Sequence, residues 1–350
     1  MAAPPRPATP RARRFDAALV AAGFATAFAV VAGFFGESVP LLDTLGQFRA
    51  HLAAALVLLA LALSLHRFFL AAFAAALAAA LGLSSTLPLV LPQGEAAGVL
   101  PASMPRYTLL QMNLRYDTED KQQAIRRILD LDPDVVTLQE MTVSWQTAFE
   151  TISDRYPYQS YCSPGDAMGD VAILSRRPFV EGVRSVCEPK ASFEARVVDF
   201  DGHPVTVGAQ HLRWPYPGRQ WSQIERVSPA LGKLATPLVI GGDFNAAPWS
   251  AAIRVYAAAA ALRVVAGIGP TYAPAFMPDG LRRRLGLPID NVLVSNEIVV
   301  LSTKRPEATA SDHSPVLVSF AIPFPKSAEP EVQSVGLIPT SPDEGPFDLR

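Results

Sequence analysis

Long apolar runs crowd the first ninety residues, and the pattern then changes character. Phe15 to Phe35 is almost unbroken, with Asp16 as its only charge. That is long enough for the ~30 Å hydrocarbon core of a bilayer, which takes about 20 helical residues. A polar break follows, carrying Glu37, Asp43, Gln47 and Arg49. A second apolar run covers 51–65, His66-Arg67 is a very short connection, and a third run covers 68–91. The pattern predicts three transmembrane helices at 15–35, 51–65 and 68–91. Small side chains in the Ala-rich second and third allow close packing in lipid. A cleaved signal peptide is disfavoured, because the first run exceeds the usual apolar core and two more runs follow. A buried soluble hairpin is the remaining alternative.

Residues 92–104 hold Pro, Gly, Ser and Ala and read as a linker. From 105 to 323 short apolar runs alternate with amphipathic stretches. Strands are expected at 107–112, 135–140, 171–175, 193–200, 204–210, 237–240, 289–295 and 316–320. Helices are expected at 121–131, 142–153, 220–233 (with Pro229 interrupting) and 251–262. Asp201-Gly202 supplies a hairpin turn. Hairpins mixed with helices predict an α+β fold built on layered mixed sheets. The Pro-rich, acidic residues 324–350 predict a disordered tail.

One stretch stands at the centre, Val239-Ile240-Gly241-Gly242-Asp243-Phe244-Asn245-Ala246-Ala247-Pro248. An apolar strand is expected to end at the two glycines, which permit a tight turn. If the extended backbone continues, Asp243 and Asn245 share one face. A carboxylate and an amide at a strand end can serve a metal, a proton or a phosphate. An Asx-rich turn is the plain alternative.

Composition sharpens this picture. The chain is 50% hydrophobic with a net charge of −2, too apolar for disorder and without the charge of a strongly basic nucleic-acid binder. Arg6, Arg11, Arg13 and Arg14 favour a cytoplasmic start, residues 1–14. Three crossings then place residues 105–323 outside the cytoplasm. Arg67 falls on the inner side and Arg49 on the outer, so the charges are not unanimous. An even number of crossings reverses the conclusion. Cys162 and Cys187 flank the strand at Val171, and a disulfide between them is permitted outside the cytoplasm. Two separate buried thiols are the alternative.

Six motifs then appear in order: QMN ending at Asn113, LQE ending at Glu140, QHL with His211, GGDFN with Asp243 and Asn245, IDNVLVS with Asp290, and SDHSP with Asp312 and His313. With them, residues 107–321 resemble the endonuclease/exonuclease/phosphatase superfamily, the DNase I-like metal-dependent phosphoesterases. The resemblance implies a four-layer sandwich of two mixed β-sheets flanked by helices. The N-terminal helices make the chain similar to bacterial multi-pass inner-membrane (plasma-membrane) proteins of this superfamily, including the glycopeptide-resistance type. That implies a phosphate ester or pyrophosphate substrate, lipid-linked in that type.

The residues make chemical sense in these terms. Phosphoester cleavage needs a charge-stabilising cation, an activated water and a proton for the leaving oxygen. Mg²⁺, with Mn²⁺ as the alternative, takes one or two carboxylates plus waters. Glu140 is the first candidate ligand, with Asp312 and Asn113. His313 is the candidate general base, and the resemblance assigns Asp290 to orienting its ring. Asp243 can position the water or protonate the leaving group. Asn245 can donate to the phosphate, and His211 can hold the phosphate or act as acid. Asn113-Leu114-Arg115 lacks the second acidic metal residue of some family nucleases, which leaves the metal count open.

Arg213-Trp214-Pro215-Tyr216 is a candidate substrate wall, Arg213 for phosphate and Trp214 for a lipid chain or a base. Arg282, Arg283 and Arg284 form a second basic candidate, or a solvated or membrane-facing run. A nuclease taking nucleic acid as substrate is the first alternative function, weakened by the lack of basic balance. A catalytically inactive, membrane-tethered binding module is the second, opposed by the complete motif set. The sequence names no protein partner.

Overall fold

The computed structural model describes residues 10–92, 104–163, 170–274 and 276–323. The expected tail, most of the linker and the first nine residues lie outside them. The apolar runs form α1 (Pro10–Ala32), α3 (Arg49–Leu65) and α4 (Phe69–Val90), and the polar break holds a short α2 (Pro40–Gly46). The long helices pack around Val30, Leu56, Leu63, Ala75 and Ala79. A Cβ on Gly82 of α4 would lie 2.8 Å from Ala53 Cβ and 3.2 Å from Val30 Cγ1, so glycine lets all three helices meet there. Phe24, Phe28, Leu58, Leu70 and Phe73 face outward and exposed. Pro10–Phe35 and Phe69–Val90 are each long and apolar enough to cross a membrane. The expected second span is shorter: α3 has 17 residues, ~26 Å at helical rise, below the ~30 Å hydrocarbon core. It qualifies only if α2 and α3 count as one span bent by 61°.

The bundle has two distinct ends. His66 Nδ1 meets Asp16 Oδ1 at 2.8 Å, so the start of α1 and the α3–α4 turn share one end. At the other end Gly267 N donates to Leu89 O at 2.9 Å, and the rest of the chain is packed there.

That remainder begins with β1 (Tyr107–Asn113), α5 (Gln122–Leu131), β2 (Val135–Met141), α6 (Val143–Glu150), β3 (Tyr158–Cys162) and β4 (Asp170–Ser175). It continues with β5 (Val186–Glu188), β6 (Phe193–Asp199), β7 (Pro204–His211), α7 (Gln220–Leu231), β8 (Leu238–Asp243) and α8 (Ala251–Ala259). It closes with β9 (Arg263–Val264), α9 (Asp279–Leu285), β10 (Asp290–Val294), β11 (Val299–Lys304) and β12 (Val316–Ala321). Two six-stranded mixed sheets result, ordered β11-β12-β1-β2-β4-β3 and β5-β6-β7-β8-β10-β9.

Alternation assigns the layers. Leu109 of β1 points between the sheets with Val207, Val239 and Val292. Its neighbours Leu110 and Met112 point the other way, onto Ile125 and Ile128 of α5 and Trp145 and Phe149 of α6. In the second sheet Ile240 and Leu293 point outward onto Ile224 and Val227 of α7 and Ile253 and Tyr256 of α8. Each such side chain contributes about 1.5–3 kcal/mol by leaving water. The order is helix, sheet, sheet, helix.

Three expectations change. Gly241 and Gly242 do not end their strand: β8 runs through them to Asp243, paired with β7 and β10. A Cβ on Gly241 would sit 2.5 Å from Thr137 Oγ1 of the facing sheet, so the glycine serves close sheet approach instead of a turn. α7 continues through Pro229, which falls in its last turn, where only one late backbone bond is lost. The pattern also missed β3, β5, β9 and β11. These are the four sheet edges; β3, β5 and β9 are short or broken by polar residues, as solvent-facing edges are, whereas β11 opens on the apolar Val299-Val300-Leu301 and was passed over. Cys162 on edge β3 and Cys187 on edge β5 form a disulfide with Cα atoms 5.6 Å apart, tying the two sheets together.

Candidate active site

Strand register assembles the floor of the site. Parallel pairing of β7 with β8 sets His211 beside Asp243, and antiparallel pairing of β8 with β10 sets Asp290 on its other side. The facing sheet ends β1 at Asn113. In β2 the pairing with β4 shifts between Leu138 and Met141, and Glu140 takes φ 60° within that irregularity. Such a bulge re-aims a side chain, and here it turns Glu140 into the cleft. The segment leading into β12 delivers Asp312 and His313. All eight candidate floor residues therefore converge at one end of the sandwich, six of them buried and Glu140 and Asp312 half-buried.

The contacts give each a place. His313 Nδ1 meets Asp290 Oδ2 at 2.8 Å, and Gln111 Nε2 donates to Asp290 Oδ1 at 2.9 Å. Both oxygens of Asp290 are thus engaged, and the ring is fixed with Nε2 toward the cleft. His313 Nε2 and His211 Nε2 each lie 3.7 Å from Asp243 Oδ2. Asn113 Nδ2 donates at 3.0 Å to both Glu140 Oε1 and Asp243 Oδ2, while its Oδ1 accepts from Arg115 N. Asn113 is a bridge between the two carboxylates. Asp243 forms the Asx turn, its Oδ1 accepting from Asn245 N at 2.8 Å. Asn245 Nδ2 donates to Leu212 O at 2.7 Å, and its buried Oδ1 has no partner. The donor expected for a phosphate is thus taken up by Leu212 O.

Charge follows from this crowding. Burial pulls the His313 imidazole down, but Asp290, Asp243 and Asp312 outweigh it and hold the pKa at about 10. Burial pushes Asp243 up to about 7, against the pull of His313. Burial lowers His211.

Glu140, Asp312, His211, Asp243 and His313 line a cavity of about 450 Å³. Glu140 accepts from Asn113 and from Tyr116 N at 2.8 Å, which leaves lone pairs on both oxygens. With the unpartnered Asn245 oxygen on the same wall, this hard oxygen donor set fits a Mg²⁺-like cation. The most compact group of ligand atoms among the described residues is another one, Asp243, Asp290 and His313, all within 4.8 Å. The Asp290–His313 hydrogen bond makes that group suited to handling protons.

Trp214, of the expected wall, contacts Tyr272 edge-on at 5.5 Å, and Tyr272 lies 4.9 Å from the His313 ring. Trp214 and Asn245 also line two further cavities. One, about 600 Å³, is cationic, with Lys190, Arg213, Arg219 and Arg226. The other, about 290 Å³, is apolar, with Phe48, Pro215, Tyr216, Leu287 and Ile289. The expected basic run near the site behaves differently. Arg282 is buried and donates to Ser311 O at 3.0 Å, and Arg283 donates to Arg305 O at 3.0 Å, so these two brace the loop before His313. Only Arg284 is exposed.

Sequence reasoning missed Gln111, Tyr272, Gln220 and Gln223. Gln111 stood inside a quoted motif, and its polarity in a strand interior was the available signal. Gln220 holds Phe244 O and Asn245 O, and Gln223 holds His211 O, from α7. Nothing in the local pattern marks such long-range braces.

Residues 110–313 match the model of the endonuclease/exonuclease/phosphatase family. A UPF0294 protein of Vibrio parahaemolyticus is 25% identical over 227 residues, 61% of this chain and 77% of that protein. Another, from Vibrio vulnificus, is 31% identical over 141 residues, 39% of this chain and 47% of its own length. Among solved structures, the endonuclease/exonuclease/phosphatase from Bacteroides vulgatus superposes with a TM-score of 0.51 at 15% identity, covering 63% of this chain and 100% of that one. That from Beutenbergia cavernae gives 0.49 at 19% identity, covering 62% and 72%. The likeness to the Bacteroides structure shows the fold, the DNase I-like sandwich described above.

Proposed function

We propose, because the chain belongs to the endonuclease/exonuclease/phosphatase family, that it is a membrane-anchored phosphoesterase acting outside the cytoplasm on a lipid-linked phosphate ester or pyrophosphate. The observation that carries the reading is the convergence of three cavities on Trp214 and Asn245. The catalytic one takes the scissile phosphate. The cationic one suits a neighbouring anionic group. The apolar one lies against Thr44, Gln47 and Phe48 of the membrane segment and suits a hydrocarbon chain.

Glu140 and Asp312 would hold Mg²⁺, which supplies charge stabilisation to the phosphoryl group. Asp290 holds the His313 ring so that Nε2 faces the reacting phosphate. With a cation held by Glu140 and Asp312, His313 would bind its proton less tightly and come toward the range of a base at neutral pH. Asp243, between the two imidazoles, orients the attacking water. His211 serves the phosphoryl oxygens or the leaving group.

Two observations support the orientation. Arg49, the one charge against it, is 2% exposed and bonded to Gly33 O and Trp249 O, so it is not a loop charge that sets topology. The Cys162–Cys187 disulfide belongs to oxidising compartments.

The test is phosphate or nucleotide release by the full chain in detergent, with Mg²⁺ and with EDTA, using Asp243→Ala as control. The panel holds a lipid pyrophosphate, a choline phospholipid, plasmid DNA and RNA. Metal-dependent release from a lipid alone is expected. Cleavage confined to DNA or RNA would overturn the lipid reading in favour of a nuclease, and no cleavage of any substrate would overturn the phosphoesterase.

A further inference from the structure

We propose that Asp43, Gln47 and Arg49 are positioning residues of the catalytic site, so that the membrane segment is part of the enzyme and not a passive tether. Their setting is unusual. A polar break between two apolar helices ordinarily faces water, yet these three side chains are 0%, 3% and 2% exposed. Beside Gly33, Phe34 and Gly36 of their own segment, what covers them is the segment 247–252, which begins two residues after Asn245.

The contacts are specific. Asp43 Oδ1 and Oδ2 accept from Ala251 N at 2.8 Å and Ala252 N at 3.1 Å. Those are free N–H groups at the start of α8, and a carboxylate there meets the positive end of the helix dipole. Gln47 Oε1 accepts from Ala247 N at 2.6 Å. Trp249 Nε1 donates to Gly46 O at 2.8 Å, and Arg49 returns a bond to Trp249 O at 3.2 Å. A second arm of Arg49 reaches Gly33 O at 2.8 Å, which locks the end of α1 to the same contact. Two further bonds reach the sandwich elsewhere: Thr44 Oγ1 donates to O of the rim residue Tyr216 at 3.3 Å, and His51 Nε2 lies 3.1 Å from Leu285 O at the end of α9.

The consequence lies in the loop between β8 and α8. Asp243 is anchored by its strand and Phe244 N still donates to Ile289 O at 3.0 Å, but from Asn245 to Ser250 the chain has no strand pairing. Gln220 grips the loop's near half from α7 through Phe244 O and Asn245 O, and Asn291 Nδ2 donates to Ala246 O at 2.9 Å. The membrane segment grips the far half. With that half released, the unpartnered oxygen of Asn245 and the carboxylate bonded to its N–H lose their fixed aim. A displacement of about 1 Å in such groups can cost on the order of a hundredfold in rate.

The experiment uses the full chain in detergent and, for its kinetic arm, rests on the phosphoesterase reading. Asp43→Ala and Gln47→Ala are compared with Leu63→Ala, a bundle-core change remote from the cleft. The clamp variants should lose on the order of tenfold to a hundredfold in kcat with KM within about twofold. Leu63→Ala should lower thermal stability and leave kcat intact. Asp43→Asn, which keeps one acceptor oxygen, should recover part of the rate. Wild-type kcat in both clamp variants, or an equal loss in Leu63→Ala, would overturn the proposal. Hydrogen exchange of the amides at 247–252 supplies a readout that needs no substrate. Selective loss of their protection in the clamp variants is expected even if no phosphoester is cleaved, and unchanged protection overturns the clamp on its own. Gln47→Ala removes one hydrogen bond to the loop and one within its own helix, to Asp43 O, and keeps the test available if Asp43→Ala fails to fold.

Discussion

The floor and the rim of the cleft are built by opposite means. The floor is strand-borne: His211, Asp243 and Asp290 sit side by side through backbone pairing, and Gln111 and Asn113 reach across from the facing sheet. It is buried, and most of its polar atoms are hydrogen-bonded. The rim is loop-borne and open, with Trp214 and Tyr216 about half exposed and with cationic and apolar recesses on its two sides. A largely hydrogen-bonded polar floor can hold one geometry for proton and phosphate chemistry. An exposed aromatic rim can only select what enters. Chemistry and substrate choice should therefore separate by mutation.

The largest effect belongs to the floor. His313→Ala should lower kcat/KM by a factor on the order of 10²–10⁴, the usual weight of a positioned acid or base, while circular dichroism stays unchanged. Activity within a few-fold of the parent would remove His313 from the mechanism and with it the floor's claim to the chemistry.

The disulfide sharpens the comparison, because it lies on the outer edges of both sheets. A closed loop with a separation of 25 residues contributes about 3 kcal/mol in the chain-entropy account. Paired Cys162→Ser and Cys187→Ser changes should lower the denaturation midpoint accordingly and leave kcat and KM in place below that midpoint. A large loss of kcat in folded protein would show that the floor depends on distant edges and is less self-sufficient than its hydrogen bonds indicate.

A titration of stability probes the floor directly. The folded pKa of His313, about 10, lies above its ordinary 6.5. The folded protein thus holds a proton there that the unfolded chain releases. The stabilisation is complete below pH 6.5 and is lost as the pH rises toward 10. Metal-free protein should lose melting temperature across that window more steeply than His313→Gln. Identical slopes would mean that the Asp290 pairing does not hold the imidazole charged.

The same division governs what could be read from the chain. Floor residues stand at the ends of apolar strands, where Glu140, Asp243, Asp290 and His313 interrupt a clear period. The layered mixed sheets followed from the same runs, and the four-layer order only from the family resemblance. The bulge that aims Glu140 and the glycine fit at Gly241 depend on a sheet partner that no local pattern names. The rim braces join residues far apart in sequence: Gln47 to Ala247, Arg49 to Trp249, Arg282 to Ser311. Asp43, Gln47 and Arg49 looked like an ordinary solvated break because the surface that buries them is assembled only in the fold.

The smallest effect, and the most selective, belongs to Trp214. Its indole forms a wall shared by the catalytic, cationic and apolar recesses and stacks edge-on against Tyr272. Trp214→Ala removes aromatic surface from the apolar recess without touching a proton-handling group. For a substrate carrying a long hydrocarbon chain, KM should rise about tenfold with kcat nearly unchanged, the signature of binding shared by ground and transition states. For a water-soluble phosphoester lacking the chain, KM should change less than twofold. Trp214→Phe should recover most of the difference, since its ring still offers apolar surface. An equal rise for both substrates would mean that Trp214 contacts the phosphate end, and a fall in kcat with KM unchanged would move it from the rim into the floor.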